Sequence, residues 1–125
     1  MTSLYAGILG IIYIFISSRV IKTRRSEKVS LGNANNTTLT KFTSAHNNFS
    51  NYTPIFLILL YLLEQKNISL ITIHITSILF IFGRFSHYFA LIHDSKNFKF
   101  RIAGMMLTFF PITIFSILNI IYSFI

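Results

Sequence analysis

The sequence predicts an all-α membrane protein: an antiparallel bundle of four transmembrane helices forming one domain over 1–125. Two observations about composition and one about charge predict it. Hydrophobic residues make up 53% of the chain and charged residues only 11%, where a soluble domain carries about 25% charged residues. Four stretches separated by short polar connections read as spans, the first of them apolar over the roughly 20 residues that cross about 30 Å of hydrocarbon. Most of the basic side chains fall between those stretches.

The first helix is predicted over 3–21 and carries no charge before Arg19. A cleaved leader would place basic residues ahead of its apolar core and small residues behind it. Here the order is reversed, which predicts a retained helix. Lys22 to Thr38, "KTRRSEKVSLGNANNTT", is a polar connection, and Gly32 with its neighbouring asparagines marks a turn. The second helix, 39–63, is polar from Thr43 to Asn51 and strongly apolar from Tyr52 to Leu63. Pro54 removes one backbone hydrogen bond there and predicts a kink. Membranes tolerate such breaks where neighbouring groups satisfy the freed carbonyl.

"EQKN", Glu64 to Asn67, is a short turn. The third helix, 68–92, is apolar apart from His74, Arg84, His87 and scattered serines and threonines. "HDSKNFKF", His93 to Phe100, is the next polar loop. The fourth helix, 101–124, carries no charge after Arg101, and Pro111 marks a second kink.

The chain has 11 Lys and Arg against three acids, a formal charge of +8. Lys22, Arg24, Arg25, Lys28, Lys41, Lys96 and Lys99 lie in or beside the first and third connections, with Arg101 at the edge. The second connection holds only Lys66. The positive-inside rule then places the first and third connections in the cytoplasm and both termini on the other side. Topology accounts for most of the +8, so the expected partner is membrane lipid and not nucleic acid. No cysteine is present and the four histidines are dispersed. That removes disulfides and thiolate nucleophiles, and no metal site is expected.

Polar groups at membrane depth are costly, roughly 2.5–3.5 kcal/mol for an ionisable group on insertion scales. They call for partners or a wet cavity. Ser44, Asn48 and Asn51 share one face of the second helix by their spacing, flanked by Asn47. Taken alone, that stripe reads first as polar contacts between helices and only second as a ligand site. Arg84 and His87 are neighbours one turn apart on the third helix. Arg84 could equally snorkel to the headgroups, and a single imidazole such as His87 is a weak signal. His74 has no evident partner and reads as structural. Arg19 and Arg101 are each ordinary topology anchors when taken singly. Together, Arg19, Asn48, Asn51, Arg84, His87 and Arg101 fall at the cytoplasmic ends of four packed helices. A basic, amide-rich pocket of that kind suits a ligand with carboxylates and amides, because guanidinium forks hold carboxylates bidentately. Glu27, Glu64 and Asp94 all lie outside the apolar stretches. A proton-coupled exporter of four short helices, which needs an acid in the membrane, is therefore disfavoured.

At this point the chain resembles the MAPEG family, the membrane-associated proteins in eicosanoid and glutathione metabolism, and most of all its short bacterial branch. The resemblance rests on "RVIKTRRSEKVSLGN", "AHNNFSNYTP", "GRFSHYF" and "RIAGMMLT", in that order, from Arg19 to Thr108. The second of these is the most specific. The resemblance implies a homotrimer in the bacterial inner membrane that binds glutathione between neighbouring subunits near the cytoplasmic face. It implies that Arg19, Asn48, Asn51, Arg84 and His87 hold glutathione as co-substrate and that Arg101 stabilises its thiolate. The reaction implied is a glutathione transferase or peroxidase reaction on lipophilic electrophiles. The alternative is a non-catalytic member that binds lipid or another ligand.

The chain departs from the family pattern at Asn51, where a glutamate is usual; the amide keeps the hydrogen bonds and loses the charge. Ser44 replaces a basic residue of some members. Leu91 stands where some carry a tyrosine, and Ile102 follows Arg101 where one branch has serine.

Overall fold

The computed structural model describes residues 1–93 and 98–125; Asp94 and Lys96, counted above in the third connection, lie outside them. Four α-helices run in chain order: α1 Thr2–Glu27, α2 Thr37–Glu64, α3 Leu70–Ile92 and α4 Phe98–Ser123.

Helix α1 extends past Ile21, through residues expected to be a polar connection, to Glu27. Two local features carry it there. Arg24 and Arg25 sit in its last turn, where cations oppose the negative end of the helix dipole. Lys28 adopts a left-handed conformation, and its N–H closes on the carbonyls of Arg24 and Arg25. Arg24 also donates to the Gly32 carbonyl at 2.7 Å, folding the short connection back onto the helix. Asn36 then caps α2, its side chain accepting from the Leu39 N–H at 2.8 Å. Helix α4 begins three residues ahead of Arg101, at Phe98, so Arg101 stands on helical backbone.

Three helices, α1, α3 and α4, are long and apolar enough to cross a membrane. Helix α2 is as long, but its polar first half keeps it below that standard. Packing explains the difference. Helix α2 packs extensively against each of the other three, while α3 and α4 form the most extensive pair. A helix shielded by protein on several sides can carry amides that would be costly against lipid. Many apolar side chains on the outer faces, such as Ile11, Phe82, Ile75 and Phe110, are exposed and suit a lipid surround.

The core lies where α2, α3 and α4 meet. Phe56 stacks on Phe80 with ring centroids 3.9 Å apart, and Phe115 lies 5.4 Å from Phe56. All three rings are fully buried. Pro54 and Pro111 sit inside continuous helices. At the end away from the basic residues, Glu64 receives hydrogen bonds from the Met1 ammonium and the Thr2 backbone N–H, tying the start of α1 to the end of α2.

Candidate functional site

Close approach of α3 and α4 builds the centre of the site. Gly104 lies against the backbone of His87, and a Cβ there would meet the His87 nitrogen at 2.6 Å. A Cβ on Gly83 would likewise meet the Leu107 carbonyl carbon at 2.9 Å. Small residues let membrane helices approach this closely, and the approach brings Thr108, one turn beyond Gly104, under Arg84.

Arg84 is 3% exposed. Its guanidinium donates to Asn48 Oδ1 on α2 and to Thr108 Oγ1 on α4. A further contact runs to Met105 Sδ at 3.8 Å. The Thr108 hydroxyl in turn donates a hydrogen bond to the Gly104 carbonyl at 2.8 Å. The rings of Tyr52 and Phe80 lie 5.3 and 5.7 Å from the guanidinium carbon. A charge at membrane depth is thus compensated by amide, hydroxyl and π-face, without a carboxylate among these partners. The Asn48 amide nitrogen contacts Met105 Sδ at 3.7 Å. Arg84 therefore does not snorkel; it joins α2, α3 and α4 from within.

His87 is buried on the next turn of α3. It shares an open groove of about 340 Å³ with Arg101, Phe98, Ile102, Met105, Met106 and Phe109. Arg101 is half-buried at the groove's edge, its guanidinium carbon 5.7 Å from the Phe98 ring. Arg19 is exposed on α1, 5.4 Å from the Phe42 ring and beside Tyr88 of α3. Asn51 is exposed on α2.

Of the six residues singled out by sequence, the structure joins Arg84 directly to Asn48 and sets His87 and Arg101 along one groove. Among the described residues, no hydrogen bond links Arg19 or Asn51 to them. Thr108, Met105, Tyr52 and Gly104 belong to the arrangement and escaped the sequence reading. The spacing of Gly104 and Thr108 on one face of α4 was their signal. His74 does have a partner: its Nδ1 lies 2.6 Å from the Tyr5 hydroxyl. His46, in the "AHNN" segment, pairs similarly with Ser17 at 3.0 Å.

Comparison with known proteins agrees with this architecture. The chain is 25% identical to the inner membrane protein YecN of Escherichia coli strain K12, over 98% of this chain and 92% of that one. The YecN of E. coli O6:H1 matches to the same extent. The MAPEG family profile matches residues 2–121. A match over nearly the whole chain, on a bundle of four helices with membrane-competent faces, places this membrane protein in the MAPEG family.

Proposed function

We propose that the protein is a glutathione-dependent transferase or peroxidase of the bacterial inner membrane, acting on lipophilic electrophiles. In this reading three subunits assemble with the ends bearing Arg19, Arg84 and Arg101 towards the cytoplasm and both termini on the far side. Glutathione binds near that cytoplasmic face, between neighbours.

One observation carries the reading: Arg101, half-buried, shares with His87 a groove whose other walls are apolar, among them Met106 and Phe109. A guanidinium in such surroundings stabilises a thiolate and lowers the thiol pKa. The apolar walls admit an electrophile dissolved in the bilayer. Arg101 holds the sulfur's negative charge while the sulfur attacks, and His87 lines the same groove. Arg19 on α1 and Asn51 on α2 are exposed, and across a subunit boundary they supply a guanidinium and an amide for carboxylate and peptide groups. Arg84 and Asn48 act chiefly on each other and position this end of α3 against α2.

A second reading, a lipid- or ligand-binding member without catalysis, draws on that same Arg84–Asn48 engagement, which leaves fewer donors for glutathione. Thiolate absorbance on adding glutathione to purified protein separates the two. The first reading expects a thiolate signal that Arg101→Ala abolishes while the thermal midpoint is retained. No thiolate signal and no calorimetric binding at millimolar glutathione would sink it in favour of the second.

A further inference from the structure

The outer face of α1 is apolar along most of its length and basic at one end. Ile8, Ile11, Phe15, Ser18, Lys22 and Arg25 recur at alternating steps of three and four residues, which sets them on one side of a helix. The register reaches Lys22 and Arg25 only because α1 stays helical to Glu27; a helix ending at Ile21 would leave both cations on a loop. All six are exposed except Ser18, which is half-buried. The Ser18 hydroxyl donates to the Phe15 carbonyl at 2.7 Å, so no unpaired donor interrupts the passage from apolar to basic.

Among the described residues, neither Lys22 nor Arg25 forms an ion pair. The nearest acid in sequence, Glu27, accepts from the Asn36 amide at 2.6 Å and lies on the opposite side of the helix from Arg25. From Lys22 back to Ile11 is eleven residues, about 16 Å of helix at 1.5 Å per residue. That is close to half of the roughly 30 Å hydrocarbon layer. An acyl chain of one leaflet therefore fits along Phe15 and Ile11 while its headgroup meets Lys22 and Arg25.

Charge selects the occupant. A second copy laid stripe to stripe in the same membrane orientation brings Lys22 and Arg25 against their own counterparts, and like charges so placed repel. A zwitterionic phospholipid carries a cation beside its phosphate, which competes with these side chains. An anionic phospholipid presents its phosphate without that cation, to a guanidinium fork and an ammonium one turn apart. We infer that this face of α1 is a binding site for an anionic phospholipid, with the headgroup phosphate between Lys22 and Arg25 and an acyl chain along Phe15 and Ile11. The site is separate from the Arg101 groove and does not depend on what that groove binds.

The chain has no tryptophan, so Ile11→Trp supplies a single fluorescent reporter on the stripe. Phe82→Trp, at an exposed position of α3, supplies one away from it. The full chain bearing either reporter is reconstituted in phosphatidylcholine vesicles, and quenching by dibrominated phosphatidylglycerol is compared with quenching by dibrominated phosphatidylcholine. The Ile11→Trp reporter should show a preference for the anionic lipid of about five- to twentyfold, the range for one to two basic side chains at a membrane surface. The Phe82→Trp reporter should show none. Adding Lys22→Gln and Arg25→Gln to Ile11→Trp should remove the preference and keep the quenching by phosphatidylcholine, which shows that the reporter still faces lipid. Lys28→Gln, a charge loss on another side of the same helix end, should leave most of the preference in place. Equal quenching of Ile11→Trp by the two lipids overturns the proposal, as does the same preference at Phe82→Trp. A preference that survives the loss of Lys22 and Arg25, or that Lys28→Gln lowers as far, belongs to diffuse charge and overturns it too. Shielding of Ile11→Trp from both lipids would mean that protein covers the stripe, and the proposal falls.

Discussion

Arg84 of α3 and Asn48 of α2 are hydrogen-bonded to each other in the membrane-buried interior, guanidinium to side-chain amide oxygen. Two residues that the sequence marks as candidate ligand contacts thus form a cross-brace within the chain. Thr108 completes the brace from α4.

The brace should be visible in a double-mutant cycle. Asn48→Leu leaves a buried guanidinium short of an acceptor, and Arg84→Met leaves the amide short of a donor. Each single change should destabilise, and the double variant should cost less than their sum. The coupling expected is about 1–2 kcal/mol, between the value for a charged hydrogen bond in water and the smaller values found between membrane helices. Unfolding of the four proteins in mixed micelles measures it, and additive costs would refute the brace.

Gly104→Ala should separate α3 from α4. The added methyl would stand 2.6 Å from the His87 nitrogen and 2.9 Å from its Cα, and backbone cannot yield as a side chain end does. A loss of about 1–3 kcal/mol is expected, as for overpacking elsewhere. Gly7→Ala meets open space and should be neutral or stabilising by up to roughly 1 kcal/mol. Thermal midpoints of the two variants should therefore move apart.

The tie between the start of α1 and the end of α2 should appear as an acid-sensitive component of stability. Hydrogen bonds from the Met1 ammonium, first, and from the Thr2 backbone N–H hold the Glu64 carboxyl at about 2, below its ordinary 4.5. A carboxyl lowered by folding favours the folded state while it is charged. Its contribution is complete above about 4.5 and is lost as the pH falls from there through about 2. Glu64→Gln should flatten that acid limb by lowering the midpoint at neutral pH to the same small extent, small because the pair is solvent-screened, and should leave the midpoint in strong acid unchanged. Midpoints recorded against pH for both proteins check this.

Asn51→Glu restores the acid usual in the family. Asn51 is exposed, so the fold should tolerate the change. If the position faces the amino group of glutathione, affinity should rise by about two- to fivefold, the scale of an exposed ion pair. Calorimetry against glutathione reads it directly, and unchanged or weaker binding would place position 51 outside the site.

Much of the architecture follows from the sequence alone. Apolar stretches separated by short polar connections, the first and third of them basic, point to four helices and the alternation of their directions, because backbone in lipid must satisfy itself within each segment. The polar half of α2 is equally legible, through Asn47, Asn48 and Asn51. The helical extension of α1 to Glu27 was hidden, since charged residues at a helix end resemble a loop in composition. Which residues of the site meet was decided by packing. Gly83 and Gly104 set how closely α3 and α4 approach, which brings Thr108 beneath Arg84, and the packing of α2 on α3 brings Asn48 to the same guanidinium. The Tyr5–His74 pair, 69 residues apart in the chain, likewise exists only once α1 folds beside α3. Periodicity places a side chain on a face of its own helix; which partner it finds depends on the rotation and separation of helices, and those are properties of the assembled bundle.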